Sequence, residues 1–254
     1  MPIKRDIFLN YIDSLLQPKL INDYCPNGLQ VQGKDMIETI VTGVTASDCL
    51  IKQAVEANAD ALIVHHGMFF KGELETITGW KYKRIQKLIK HDISLIAYHL
   101  PLDIHPVYGN NIQLAQRLNL TPISEFDTNT KPFLGLIAKT QAPLDVMQLS
   151  QTIESTLKRT PTVINANTNE KIQTIGICTG SAQDFITHAK AANCDLYLSG
   201  EISERTTHLA RELGIHYIAA GHHATERFGV LSLGEHLAKH FRINHQFIDI
   251  DNPA

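Results

Sequence analysis

A chain of 254 residues with 43% hydrophobic and 19% charged residues is long enough to bury a real core, as one large domain or two of ordinary size. Its formal charge of −3 excludes an overt basic footprint for nucleic acid or a membrane surface, and the composition excludes disorder. Met1-Pro2-Ile3-Lys4-Arg5-Asp6 lacks the apolar centre of a signal peptide and no later run approaches membrane-spanning length, so a soluble, cytoplasmic protein is expected.

Phe8, Tyr11, Ile12 and Leu15 repeat at helical spacing and predict a first helix. Asp23-Tyr24-Cys25-Pro26-Asn27-Gly28-Leu29-Gln30 is a turn-rich stretch before a strand at Val31. Ile37 to Val44 reads as a strand, and Ser47 is a plausible N-cap for a helix burying Leu50, Ile51, Ala54 and Val55. Ala61 to Val64 is the next strand, so this is a β-α-β unit with parallel strands. It stops at His65-His66-Gly67, where an α/β sheet collects its ligands. Successive strand side chains point to opposite faces, so the two imidazoles can diverge and serve two ions rather than chelate one. The plainer alternative is a hydrogen-bonded histidine pair at a loop entrance.

Gly79 to Lys90 predicts a helix and Ile93 to Tyr98 a strand ending in His99-Leu100-Pro101-Leu102-Asp103, where Pro101 and Pro106 stop regular structure. Asn110-Asn111 opens another helix. The polar stretch Ser124 to Pro132 is the best linker candidate and divides the chain into halves 1–127 and 128–254. Beyond it come a strand at Phe133 to Lys139, a helix at Pro143 to Leu157 and a strand at Thr162 to Asn165. A final helix spans Arg227 to Phe241, and a strand spans Ile243 to Ile250.

The two halves echo each other. The segment from Ile40 to Val64 matches the segment from Ile175 to Ser199 at one constant offset, with Gly200-Glu201 standing where the first copy has His65-His66. The next strand continues the likeness, since His99-x-x-x-Asp103 and His222-x-x-x-Glu226 share a spacing. Matching histidine and carboxylate groups at strand ends are hard to explain as core packing, because carboxylates are rarely buried unless paired or bound to a cation. His236, His240 and His245 read as structural.

Cys25, Cys49, Cys178 and Cys194 are far apart and form no C-x-x-C pair, which argues against a zinc ribbon or a disulfide framework. The candidates are therefore His65, His66, His99, Asp103, His222, His223 and Glu226. Mixed nitrogen and carboxylate donors suit Zn, Mn, Fe, Co or Ni. They describe a two-metal hydrolytic site, with ions about 3.5–4 Å apart that lower the pKa of a bound water. A single structural metal, or a pH-sensitive polar network, is the competing reading.

Val64-His65-His66-Gly67, His99 to Asp103 with Asn110-Asn111 after it, and Gly221-His222-His223-Ala224-Thr225-Glu226-Arg227 resemble the Nif-three-like family, commonly labelled GTP cyclohydrolase I type 2 homologues, and most closely its bacterial YbgI-like branch. The resemblance covers essentially the whole chain. It implies an α/β fold of two similar halves with a dinuclear metal site between them, and a homohexameric ring. It places two divalent transition-metal ions per subunit on His65, His66, Asp103, His222 and Glu226, with Glu226 as bridge. His99 and His223 become substrate-facing residues that orient a ligand or move protons. The implied activity is metal-dependent hydrolysis of a small molecule or nucleotide, with a non-catalytic metal-binding scaffold as the alternative. No P-loop pattern is present, so the motifs specify a site rather than a substrate. A nucleic-acid partner is not expected.

Overall fold

Strands that are apolar on both faces need helices on both sides, and the chain meets this need twice. The computed structural model describes residues 1–166 and 171–254. They form two compact units, Met1–Tyr108 with Gly229–Asp251 and Gly109–Phe228 with Asn252–Ala254. The first contains β1 (Ile3–Lys4), α1 (Arg5–Leu16), β2 (Gly28–Val31), β3 (Met36–Ile37), β4 (Thr39–Thr45), α2 (Asp48–Glu56), β5 (Ala61–His66), α3 (Gly79–Lys90), β6 (Ser94–Ala97) and α4 (Leu100–Asp103). The second contains α5 (Asn110–Arg117), β7 (Thr121–Phe126), β8 (Gly135–Leu144), α6 (Val146–Leu157), β9 (Thr162–Ile164), β10 (Ile172–Cys178), α7 (Ile186–Ala191), β11 (Leu196–Ser199), α8 (Glu204–Leu213), β12 (His216–Ala219) and the start of α9 (His222–Phe241). The chain returns to the first unit within α9 and ends with β13 (Asn244–Phe247).

The first sheet runs β13-β4-β5-β6-β2, parallel except for β2. Its alternation sorts the core into two layers. Ile40, Val44, Ala61, Ile63 and Ile96 pack with Phe8, Ile12 and Leu16 of α1 and with Val230, Leu233 and Leu237 of α9. Val41, Leu62, Val64, Leu95 and Ala97 pack on the other face with Leu50, Ile51 and Ala54 of α2 and Ile85 and Leu88 of α3. The second sheet runs β7-β8-β10-β11-β12-β9, with a parallel centre and antiparallel flanks. Ile175, Leu196, Leu198 and Ile218 face α5 and α6, whereas Tyr197 and Tyr217 face α7 and α8.

The internal repeat is carried by the backbone. Ala61 lies opposite Ile40 in the first sheet and Leu196 opposite Ile175 in the second. Asp60 Oδ2 accepts hydrogen bonds from the backbone N–H groups of Glu38 and Thr39 at 2.9 and 3.0 Å, and Asp195 Oδ2 accepts from Gln173 and Thr174 at 2.9 and 2.8 Å. Each aspartate thus ties the start of one strand to the start of its neighbour.

Several boundaries differ from the sequence reading. The polar stretch read as a linker overlaps β7, whose residues are mostly exposed because it is an edge strand, and the units part at Tyr108 rather than at residue 127. Pro101 does not stop structure. It sits in the first turn of α4, where its missing N–H has no helical partner to lose. The helix expected from Pro143 starts at Val146, because β8 runs through Leu144 and Asp145 forms a capping box with Gln148. The helix expected from Arg227 starts at His222, which puts the last motif on its first turns.

Candidate metal centre

In the first unit, β5 delivers His65 and His66 at its carboxyl end and the chain leaving β6 delivers His99. Strand alternation allows the adjacent imidazoles to diverge, yet their ring centroids lie 4.5 Å apart, with His99 4.9 Å from His65 and 5.6 Å from His66. Nitrogens of all three lie within 4.8 Å of one another. His65 is fully buried, and its Nδ1 lies 3.1 Å from the Tyr98 carbonyl. A carbonyl only accepts, so Nδ1 donates to it, and Nε2 is the nitrogen left to meet a ligand. That Nε2 faces Asp103 Oδ1 at 3.5 Å. A ring nitrogen and a carboxylate oxygen so placed could both serve one cation. His66 Nδ1 is held by the Thr45 hydroxyl at 3.1 Å.

His99 is fixed by a residue far away in the chain. Its Nδ1 lies 2.9 Å from Asp23 Oδ1, its backbone N–H donates to Asn27 Oδ1 at 2.8 Å, and the Leu100 N–H donates to Asp23 Oδ2 at 3.0 Å. Burial alone would raise the Asp23 carboxyl, but hydrogen bonds from His99 and Asn27, the His99 charge and the Leu100 N–H outweigh it and hold Asp23 below the usual carboxylate range. Cys25 also lies within reach of Asp23 and His99. Burial and the Asp23 charge push its thiol up.

In the second unit, His222 and Glu226 are four residues apart on α9, with Nε2 3.1 Å from Glu226 Oε2, and His222 Nδ1 lies 2.6 Å from Glu201 Oε1. Burial lowers the His222 pKa, but the two carboxylates prevail and push it up to about 9. Glu226 is only 3% exposed. Gly180, at φ +70°, lies beneath it, and a Cβ there would collide with Glu226 Oε1. The Gly180 N–H donates to Thr225 Oγ1, which in turn donates to the His222 carbonyl. His223 is buried on the next position of α9.

The residues fit a divalent transition metal. The first unit clusters three imidazoles near a carboxylate, and the second cradles a buried carboxylate and a histidine that carries a proton where an ion would sit. The shared His-x-x-x-carboxylate spacing is less regular than it reads. Val64 faces Ala97, and its counterpart Ser199 faces Ala219, so the backbone equivalent of His99 is Gly221, and His222 lies one residue beyond.

The profile of the Duf34/NIF3 (NGG1p interacting factor 3) family matches residues 3–253. The chain belongs to this family. A relative from Vibrio cholerae named GTP cyclohydrolase 1 type 2 homolog is 51% identical over 244 residues, 96% of each chain. One of the same name from Pseudomonas aeruginosa is 47% identical over 257 residues, the whole of both. A solved structure described as protein ybgI, of unknown function, is 44% identical and has a TM-score of 0.95, covering 99% of this chain and all of its own.

In this Duf34/NIF3 chain, sequence reasoning missed Glu201, Asp23 and Asn27. Glu201 was open to discovery, because it stands at the repeat position of His66 and so at the same strand end. Asp23 and Asn27 carried no such signal: they lie in a turn-rich loop whose partner is distant in sequence. Among the described residues, no helix is long and apolar enough to cross a membrane.

Proposed function

We propose that the protein is a metal-dependent hydrolase acting on a small-molecule or nucleotide substrate. In this reading the donors of the two units converge on one centre that holds two divalent transition-metal ions per chain, Fe, Zn, Mn, Co or Ni. His65, His66 and Asp103 hold them from the first unit, and His222 and Glu226 from the second. The observations that carry the reading are a three-imidazole cluster in the first unit, with His65 and His99 buried and His66 half-buried, and a buried, glycine-cradled carboxylate in the second. Such ions, once bound, lower the pKa of water and stabilise the negative charge that develops on the attacked centre.

The chain's own residues supply orientation and proton movement. Asp23 fixes the His99 ring through Nδ1 and so assigns proton exchange to Nε2, which lies 3.4 Å from the Tyr24 hydroxyl. Glu201 orients His222 in the same way. His223 is the second candidate for moving protons. The name carried by the relatives makes opening of a guanine ring the first reaction to try. By resemblance, six copies form a ring, and light scattering that reports a monomer at micromolar concentration overturns that part.

The test is elemental analysis of protein purified without chelator, followed by a screen of phosphorylated and cyclic-amide substrates. About two ions per chain are expected, with fewer in His65→Ala and Asp103→Ala. Full occupancy in both variants refutes the ligand assignment. Full metal content with no turnover in the screen favours the scaffold.

A further inference from the structure

A cavity of about 470 Å³ opens in the first unit beside the imidazole cluster, with walls that include Tyr24, Pro26, Phe69, Phe70, Leu74 and Lys81. Its size suits a small molecule. Two of its rings reach the cluster: Tyr24 meets His99 edge-on at 4.9 Å, and Phe70 meets His99 at 5.8 Å and His66 at 6.2 Å. Whatever lies against Tyr24 and Phe70 therefore lies next to the His66 and His99 rings.

The walls are held in place by contacts between loops. Gln30 donates from Nε2 to the Pro26 carbonyl at 2.9 Å and accepts from the Met68 N–H through Oε1 at 2.9 Å, stapling the segment after Asp23 to the segment after His66. The staple passes through the space where a side chain at Gly67 would begin, so any larger residue there would displace the Gln30 amide. A second tie runs from the Lys71 N–H to the Tyr24 carbonyl at 2.7 Å. Lys81, buried, donates to the Leu74 carbonyl at 2.7 Å, with its ammonium 5.3 Å from the Phe69 ring. Such preorganisation lowers the ordering cost of binding.

The charges on these walls narrow the ligand. Asp23, Glu73 and Glu75 share the walls with Lys71 and Lys81, and Lys81 is already engaged by Leu74 and by Glu73 at 3.7 Å. The lining includes no arginine, and its carboxylates outnumber its ammonium groups. A triphosphate would meet repulsion here, whereas a flat uncharged ring meets aromatic faces and edges. We infer that this cavity binds an uncharged planar heteroaromatic ring, held by Tyr24 and Phe70 beside the metal centre, and that it provides no cradle for a triphosphate. The inference deepens the hydrolase reading by naming the substrate class, but binding is measured without turnover, so either can fail alone.

Trp80 is the single tryptophan and adjoins Lys81, with its ring 5.6 Å from the ammonium, so its fluorescence reports on this cavity. The full-length protein is titrated with quinazolin-4-one and with guanosine, by fluorescence and by calorimetry. Saturable binding of at least one is expected. Base stacking on one aromatic side chain is worth about 1–3 kcal/mol, so Tyr24→Leu and Phe70→Leu should each weaken binding roughly 5- to 150-fold. Tyr24→Phe keeps the ring and should stay within about twofold of the parent. Tyr24 is half exposed, so these variants should fold, and unchanged metal content checks that the cluster is intact. In chelator-treated protein, where its phosphates meet no ion, GTP should bind no more tightly than guanosine. The inference is overturned if neither ring binds, if Tyr24→Leu binds as the parent does, or if GTP gains affinity from its phosphates. Ring binding without turnover removes the hydrolase reading and leaves the site.

Discussion

Glu201 and Glu226 grip opposite nitrogens of one imidazole, and the two carboxylates have different tasks. Glu201 touches His222 Nδ1 and leaves Nε2 on the side of Glu226, so it sets the ring's orientation and basicity. Removing its charge should weaken metal binding without removing a donor: Glu201→Gln is expected to cost about 10- to 100-fold in affinity, the range typical of residues behind the ligands. Glu226→Gln keeps size and one neutral oxygen but loses the charge that two cations would share, so it should cost more than Glu201→Gln or His223→Gln. Calorimetric metal titrations rank the three. Equal affinity for Glu226→Gln and the parent removes Glu226 from the site. Gly180 adds a steric test, because alanine at φ +70° pays the left-handed penalty of roughly 1–2 kcal/mol and strikes Glu226 as well. Gly180→Ala should therefore lose both stability in urea and metal.

The elements that carry these residues were legible wherever one period ruled them. Strand β5 and helices α2 and α3 follow from apolar spacing, and Ser47 caps α2 as its position suggests, accepting from the Leu50 N–H at 3.1 Å. Ser47→Ala should destabilise by about 1 kcal/mol, read from urea unfolding, and leave metal content alone. Edge strand β7 was not legible, because solvent on its outer side gives it the polarity of a linker. The wall of the cavity was not legible either: Gln30 and Met68 bond across 38 positions, and His99 and Asp23 across 76, a coupling that no local pattern records. Asp60, which ties β4 to β5, gives a pH test at this scale. Burial raises its pKa, but Lys34 and the Glu38 and Thr39 N–H groups outweigh it and hold the folded-state value below the usual carboxylate range. A depressed folded pKa contributes stability above the unfolded value of about 3.9 and loses it as pH falls through the folded one. Urea midpoints of the parent should therefore drop below about pH 4, and Asp60→Asn should flatten that part of the profile.

At the scale of the whole molecule, the chain builds one α/β plan twice and then lets the copies differ where they matter. The repeat keeps Asp60 and Asp195 in the same structural task, while the strand ends diverge from His65-His66 to Gly200-Glu201. The first unit is rich in imidazole and the second supplies the most buried carboxylate among the proposed ligands. Neither donor set alone offers a balanced home for two dications: neutral imidazoles with the one carboxylate of Asp103 leave charge uncompensated, and a single His–Glu pair leaves coordination short. If the two sets serve one centre, damage to one must change what damage to the other costs. Additivity is the rule for independent sites, within about 0.3–0.5 kcal/mol, whereas residues sharing a network deviate by roughly 0.5–3 kcal/mol. A double-mutant cycle on metal affinity with His65→Ala and Glu226→Gln measures this coupling. The single variants should each weaken binding strongly and the double variant should fall short of their sum, because once one donor set has lost its hold, the shared ion has less left to lose. Strict additivity, with each single variant emptying one ion and sparing the other, would replace the shared dinuclear centre by two separate mononuclear sites.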